Sequence, residues 1–242
     1  MKRRLFLASS LAAVGLSGCG SVKESLTNGP FRKVLLAAEG WNHGLIGTRG
    51  MAREYTERDI DRQFRVNGLD TPSDTSYQRL LQGGFHDYRL VVTGLVEQPQ
   101  QLSLAALRAA GERTQITRHD CVEGWSAIGK WRGVPLATVM ALARPTTAAR
   151  YCVFHCFDRD QMGTSYYESL DLVQAAHPQT ILALDLNDAP LDADHGAPVR
   201  LKIPTQLGYK SAKWVARIEL AAALPGAGGY WEDQGYEWYA GI

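Results

Sequence analysis

The chain of 242 residues is 45% hydrophobic and 21% charged, enough to bury one sizeable core and in keeping with an ordinary globular protein that holds a single catalytic domain. Lys and Arg number 26 against 25 Asp and Glu, a formal charge of +1, and no basic stripe is interleaved with aromatics. That balance excludes nucleic acid as the expected partner.

At the N-terminus, Lys2, Arg3 and Arg4 precede an apolar stretch from Leu5 to Leu16. About a dozen apolar residues are too few to span a bilayer, which takes about 20, but suit the h-region of a signal peptide, so residues 1–18 are set apart from the fold. Arg3-Arg4-Leu5-Phe6-Leu7 resembles the core of a twin-arginine export signal. Leu16-Ser17-Gly18-Cys19 resembles a bacterial lipoprotein cleavage box, which would make Cys19 a lipidated first residue. A general secretion signal, whose start is also basic, fits the paired arginines at this point as well.

Residues 19–61 read as a polar lead-in containing a helix around 41–56, with Asn42 as its cap ahead of Leu45, Ile46 and Met51. The domain proper is expected over 62–242. Asp70-Thr71-Pro72-Ser73-Asp74 is a loop, 90–96 a strand, and 103–108 a short helix that starts at Ser103, a good N-cap. Strands follow at 115–118, 151–157, 199–203 and 214–221, with a short helix at 170–176. Strands and short helices mingle without a βαβ rhythm, which predicts an α+β domain of mixed β-sheets with short helices over a doubly wound sheet.

Cysteine usage narrows the chemistry. Cys121 stands in Arg118-His119-Asp120-Cys121-Val122-Glu123-Gly124-Trp125-Ser126, a polar and crowded run that makes it a candidate soft ligand or nucleophile. Cys152 and Cys156 lie in Tyr151-Cys152-Val153-Phe154-His155-Cys156-Phe157, which reads as a strand. Four residues of strand separate their Cα atoms by about 13 Å, beyond disulfide reach, so both are expected reduced. Cys152, Phe154 and Cys156 share one face; core packing is the default for Cys152, while Cys156 at the strand's end can look into a pocket.

The run 119–136 resembles the cysteine loop of the sulfite-oxidase-like molybdenum enzymes, and further similarity at 62–68, 195–200, 208–213 and 229–241 extends it over about residues 40–242. The resemblance implies that Cys121 binds the metal and that the fold is of the sulfite-oxidase molybdopterin-binding type. It implies a molybdenum-molybdopterin cofactor with one pyranopterin per molybdenum. A phosphorylated pterin needs cationic donors and close backbone approach, which Asp194-His195-Gly196-Ala197-Pro198-Val199-Arg200 and Gly208-Tyr209-Lys210-Ser211-Ala212-Lys213 offer. By the resemblance His195, Arg200, Ser211, Ala212 and Lys213 hold the pterin and its phosphate, the Asn67 amide reads the pterin edge, and Cys156 stands where the family has a small polar residue.

Related sulfite oxidases have an anion-binding arginine next to the residue matching Asn67. Here Val66 takes that place, and Arg65 lies one step away, on the opposite face if the segment is a strand. The aromatics of the tail 229–239 are expected to pack. The chemistry implied is oxygen-atom transfer, leaning to S-oxide or N-oxide reduction, of a small-molecule or a protein-bound oxide; sulfite oxidation and a non-catalytic cofactor-binding module are the alternatives. No Cys-x-x-Cys-His haem motif and no iron–sulfur cysteine set occurs, so electrons are expected from a membrane cytochrome b or a soluble cytochrome c. Because the family's cofactor is inserted in the cytoplasm, the resemblance favours twin-arginine export to the periplasmic side of a bacterial membrane, with Cys19 as lipid anchor.

Overall fold

The computed structural model describes residues 50–242 apart from 69 and 70, together with Lys33, Ala37, Ala38, Gly40, Trp41 and Gly44. The chain divides into Met1–Gly40 and a compact unit, Trp41–Ile242; in the first, Lys33, Ala37, Ala38 and Gly40 are helical and exposed. The expected signal peptide, Cys19 and the cap Asn42 lie outside the described residues.

Within the second unit the lead-in departs from expectation. Trp41 and Gly44 are helical, but no helix covers 50–56. There the backbone finds partners elsewhere: the Ala52 amide and carbonyl pair with the Gln179 side chain at 2.8 and 2.9 Å, and the Tyr55 amide donates to the Ile116 carbonyl at 2.8 Å. A segment whose hydrogen bonds run to a neighbouring strand has no need of its own helix.

Two five-stranded sheets follow. The first is built from β1 (Leu90–Gly94), β2 (Gln100–Leu102), β5 (Tyr151–Arg159), β6 (Ser165–Asp171) and β10 (Val215–Ala221), in the order β2-β1-β10-β5-β6. Only its β1–β10 pairing is parallel. The second carries β3 (Arg113–Asp120), β4 (Ser126–Pro135), β7 (Ile181–Leu186) and β8 (Ala189–Pro190) in that order, with β9 (Arg200–Lys202) also on β7. Mixed sheets with short helices bear out the α+β expectation.

The larger core draws Val92, Phe154 and Ile218 from the first sheet and Val134, Leu182 and Leu201 from the second. A smaller core lies on the other face of the second sheet, where Ile181 and Ala183 meet Phe64 and Trp131. Alternate residues of β7 therefore serve different cores, and the whole strand is buried. Each such aliphatic side chain contributes about 1.5–3 kcal/mol.

Helix α1 (Thr75–Gln82) is capped by Asp74, whose carboxylate accepts from the Ser76 and Tyr77 amides. Its buried Tyr77 donates to the Ala197 carbonyl at 2.9 Å, tying α1 to the loop before β9. The expected cap Ser103 opens α2 (Leu104–Ala109). Helix α3 (Leu136–Ala143) is apolar and packs four residues in the larger core; α4 is Leu172–Ala175. Cys121, Cys152 and Cys156 are all free thiols, and Cys152, Phe154 and Cys156 are buried, as their strand period predicts.

Candidate active site

Cys121 begins the hairpin loop between β3 and β4, which pair in register up to Asp120 and Ser126. The Cys121 amide donates to the Trp125 carbonyl at 2.9 Å and the Gly124 amide to the Cys121 carbonyl at 3.1 Å. At the loop's base the Asp120 carboxylate accepts from the Ser126 hydroxyl at 2.6 Å. This rigid turn holds the Cys121 thiol against a cavity of about 540 Å³. Burial raises the thiol's pKa, partly opposed by Arg200 and Arg65, so a bound cation is what would bring it to the thiolate.

The cavity is walled by Asn67 and Gly68, by the Cys121 hairpin, by Asp158, Tyr166 and the loop joining β5 to β6, by Gly208, Tyr209 and Ser211–Trp214, and by Tyr230 and Trp231 of the tail. Of the residues singled out in the sequence, Cys121, Asn67, Ser211, Ala212 and Lys213 line it directly. The Lys213 ammonium donates to the Asn67 carbonyl at 2.8 Å and the Asp194 carbonyl at 3.0 Å, and lies 4.0 Å from the Trp214 ring centroid. Gly196 lets this side chain pass: a Cβ there, at φ +103°, would stand 3.0 Å from that of Lys213.

Arg200 lies behind Asn67. Its guanidinium donates to the Asn67 Oδ1 at 3.0 Å and to the His195 carbonyl at 3.1 Å, and lies 5.2 Å from the Trp131 ring centroid. It is fully buried, its Nε has no partner, and no carboxylate among the described residues pairs with it. Burial lowers its pKa to about 10, which leaves it charged at neutral pH. Two strand positions on, Lys202 is equally buried and donates to the Arg118 carbonyl at 2.9 Å; burial, and then Arg200, bring it to about 7. His119 faces the same charges, is held well below the usual histidine range by burial, and leaves Nε2 unpaired where Gly208 approaches so closely that a Cβ would sit 2.5 Å away.

His195 is placed differently. Its Nδ1 is 2.7 Å from Asp192 Oδ1 and its Nε2 is 3.0 Å from the Phe64 carbonyl, so both ring nitrogens are engaged within the protein. The ring positions the 192–200 loop, and the carbonyl of the same residue holds Arg200. Cys156 is not on the wall; its side chain is in the larger core, where burial pushes the thiol up, and Asp158 two residues on faces the cavity in its stead.

Two further expectations are corrected. Residues 62–68 are not a strand, so Arg65 does not point away: its guanidinium lies 5.4 Å from the Trp125 ring centroid and its charge reaches Cys121. The tail aromatics pack, but they also shape the cavity: Tyr230 stacks on Tyr166 at 5.4 Å and donates to Asp160 Oδ2 at 3.0 Å. Asp158 and Tyr166 were not singled out in the sequence. The signal available for Asp158 was an acid near the end of a largely apolar strand.

These residues fit a phosphorylated, metal-bearing pterin. Buried cations without carboxylate partners call for an anion. A soft thiolate suits molybdenum. Among the described residues no group of three or more His, Cys, Asp and Glu is clustered for a metal, and Cys121 is the soft donor on the wall that could hold one.

Residues 75–231 match the oxidoreductase molybdopterin binding domain family. The chain belongs to this family, and is a molybdopterin-dependent oxidoreductase with molybdenum-molybdopterin as cofactor. It is 38% identical to a protein of Azospira oryzae named "Putative protein-methionine-sulfoxide reductase subunit YedZ1", over 99% of this chain and 87% of that one. It is 32% identical to the protein-methionine-sulfoxide reductase catalytic subunit MsrP of Xanthomonas axonopodis pv. citri, over 93% of this chain and 70% of that one. The sulfane dehydrogenase SoxCD of Paracoccus pantotrophus shares the fold, with a TM-score of 0.51 at 23% identity, over 57% of this chain and 39% of that one.

Proposed function

We propose that this enzyme reduces S-oxides, methionine sulfoxide in proteins being the class its relatives' names point to, with electrons from a separate redox protein. The observation that carries the reading is the cavity wall. Val122, Met162, Tyr209, Tyr230 and Trp231 make it apolar and aromatic, and its one basic residue among the described residues, Lys213, donates to backbone carbonyls. Such a wall suits a neutral oxide on a thioether better than a sulfite dianion, whose charge would need an exposed cation to offset its dehydration.

In this reading Cys121 is the metal's protein ligand. Asn67 presents its side chain, fixed by Arg200, to the pterin edge, and Ser211, Ala212 and Lys213 with Arg200 hold the phosphate end. The bound molybdenum cofactor supplies two-electron oxygen-atom transfer. The protein binds and orients the oxide, and its aromatic wall keeps water from competing. The electron partner is a membrane cytochrome b or a soluble cytochrome c. Export by the twin-arginine route and anchoring by a lipid on Cys19 place the enzyme on the periplasmic side of a bacterial membrane; replacing Arg3 and Arg4 with lysine leaves precursor in the cytoplasm, because lysine lacks the planar guanidinium fork.

A second reading, sulfite oxidation, rests on Arg65 beside the Cys121 loop. The test is a panel of methionine sulfoxide, other S-oxides, N-oxides and sulfite, run with purified holoenzyme in both directions with viologen or cytochrome c. Reduction of S-oxides well above sulfite oxidation supports the first reading. Sulfite oxidation that falls in Arg65→Ala supports the second.

A further inference from the structure

Reduction of an S-oxide breaks the sulfur–oxygen bond, takes two electrons and two protons, and releases a thioether and water. The electrons come from the reduced redox partner, but the protons must reach an oxygen inside an apolar cavity. Most acids and bases on that wall are unsuited to the task. Asp160 is held below the usual carboxylate range by the Thr164 amide, the Tyr230 hydroxyl and the Met162 amide, and so stays charged. Lys213 donates to carbonyls, and the Tyr166 hydroxyl, which donates to the Tyr209 carbonyl at 2.6 Å, is held well above the usual phenol range by burial.

Asp158 differs from all of these. It is 5% exposed, it lines the cavity that Cys121 faces, and its Oδ1 has no hydrogen-bond partner within the protein. A carboxylate left so would be costly to bury, whereas a carboxylic acid is tolerated and has a proton to give. We propose that Asp158 is the acid of this cavity, passing a proton from its carboxyl to the oxygen that leaves the substrate as water. The second proton comes from solvent, which also reprotonates Asp158 through the cavity mouth after each turnover. The inference rests on the S-oxide reading above.

Electrostatics support the geometry. Burial pushes the Asp158 carboxyl up to about 7, with Lys213 the opposing charge. The titratable groups facing it are Lys213, Cys156, Tyr166 and Tyr230. Both thiol and phenols are neutral at that pH, so Asp158 is the group that changes charge there. An acid with a pKa near the working pH is well matched to proton transfer.

The test uses holoenzyme carrying Asp158→Asn or Asp158→Glu, with a reduced viologen as donor and methionine sulfoxide as substrate. Asp158→Asn should keep its molybdenum and pterin content and its KM within about twofold, while kcat falls about 100-fold, the usual contribution of a positioned acid. Wild-type kcat should decline as pH rises through about 7, a limb missing from the asparagine variant and partly restored by glutamate. Without turnover, infrared difference titration should show a protonated-carboxyl band lost over the same range in wild type, and Asp158→Asn should lack that band while keeping the one from the buried Glu168. Loss of cofactor in Asp158→Asn, or an unchanged kcat and pH profile, would overturn the assignment. A wild type with no S-oxide turnover would sink the S-oxide reading instead, and it is told apart because the carboxyl band is read without substrate.

Discussion

Arg200 and Lys210 are two fully buried cations ten positions apart in sequence, and the protein treats them in opposite ways. Lys210 pairs with Glu168 and with Glu232 at 2.6 Å, all three side chains essentially without exposure. Burial, against the pull of Lys210, holds the Glu168 carboxyl well above its usual range, with the neighbouring Glu232 adding to the rise, and the cation has both its carboxyl partners within the protein. Arg200 has carbonyl and amide oxygens for partners and no carboxylate among the described residues. The first arrangement pins the 208–213 segment to β6 and the tail. The second leaves, just behind the cavity wall, a buried charge that no carboxylate among the described residues offsets, as a receptor for a phosphorylated cofactor would need.

If that contrast is right, the two sites fail differently. The largest effect on stability is expected for Lys210→Met, which strands two buried carboxyls: unfolding of the cofactor-free protein should lose about 3–5 kcal/mol in denaturant titration. Arg200→Met should do the reverse. Removing a buried charge without a counter-charge leaves the cofactor-free protein as stable as before or more so, while molybdenum per purified chain falls about tenfold through loss of a charge-assisted contact. Equal damage to stability in both variants would erase the distinction between a closed ion cluster and an open receptor.

A smaller effect separates the cavity acid from both. The folded state holds the Asp158 proton up to about 7, whereas an unfolded aspartate releases it near 3.8. Between those values the folded carboxyl holds a proton that the unfolded one has released, so the part of the cofactor-free protein's stability that Asp158 contributes is lost as pH rises from about 4 to 7. Asp158→Asn should lack this contribution, so that the stability difference between wild type and variant falls with pH over that range, as followed by thermal unfolding. The smallest effect is expected at Cys152, buried in the larger core and pushed up to about 12 by that burial. Cys152→Ala should cost about 1 kcal/mol of packing and leave cofactor content unchanged.

The contrast also explains what could be read from the sequence. The residues expected to hold the cofactor sit largely in short segments, such as 194–200 and 208–213, where charge and glycine stand out against their surroundings. Cys121, Asn67, Ser211, Ala212 and Lys213 were legible there, and all line the cavity. Asp158 was not, because it follows a run, 151–157, that reads as core, and its place on the wall depends on distant segments brought beside it. Cys156 was expected at the cavity from its place at the strand's end and from the family resemblance, but strand period fixes a face and not what covers it. Strand β7 was missed because burial on both faces removes the alternation by which strands are recognised. The lead-in helix was over-extended because a distant side chain, Gln179, satisfies the Ala52 backbone.

The central claim, that one hairpin thiol ties a molybdenum cofactor into the receptor built around Arg200, is tested most directly by X-ray absorption at the molybdenum edge on wild type and Cys121→Ser. The variant should lose one sulfur from the metal's coordination shell along with its activity, since a hydroxyl is a poor substitute for a soft thiolate. A full sulfur shell in the serine variant, with turnover intact, would contradict the account.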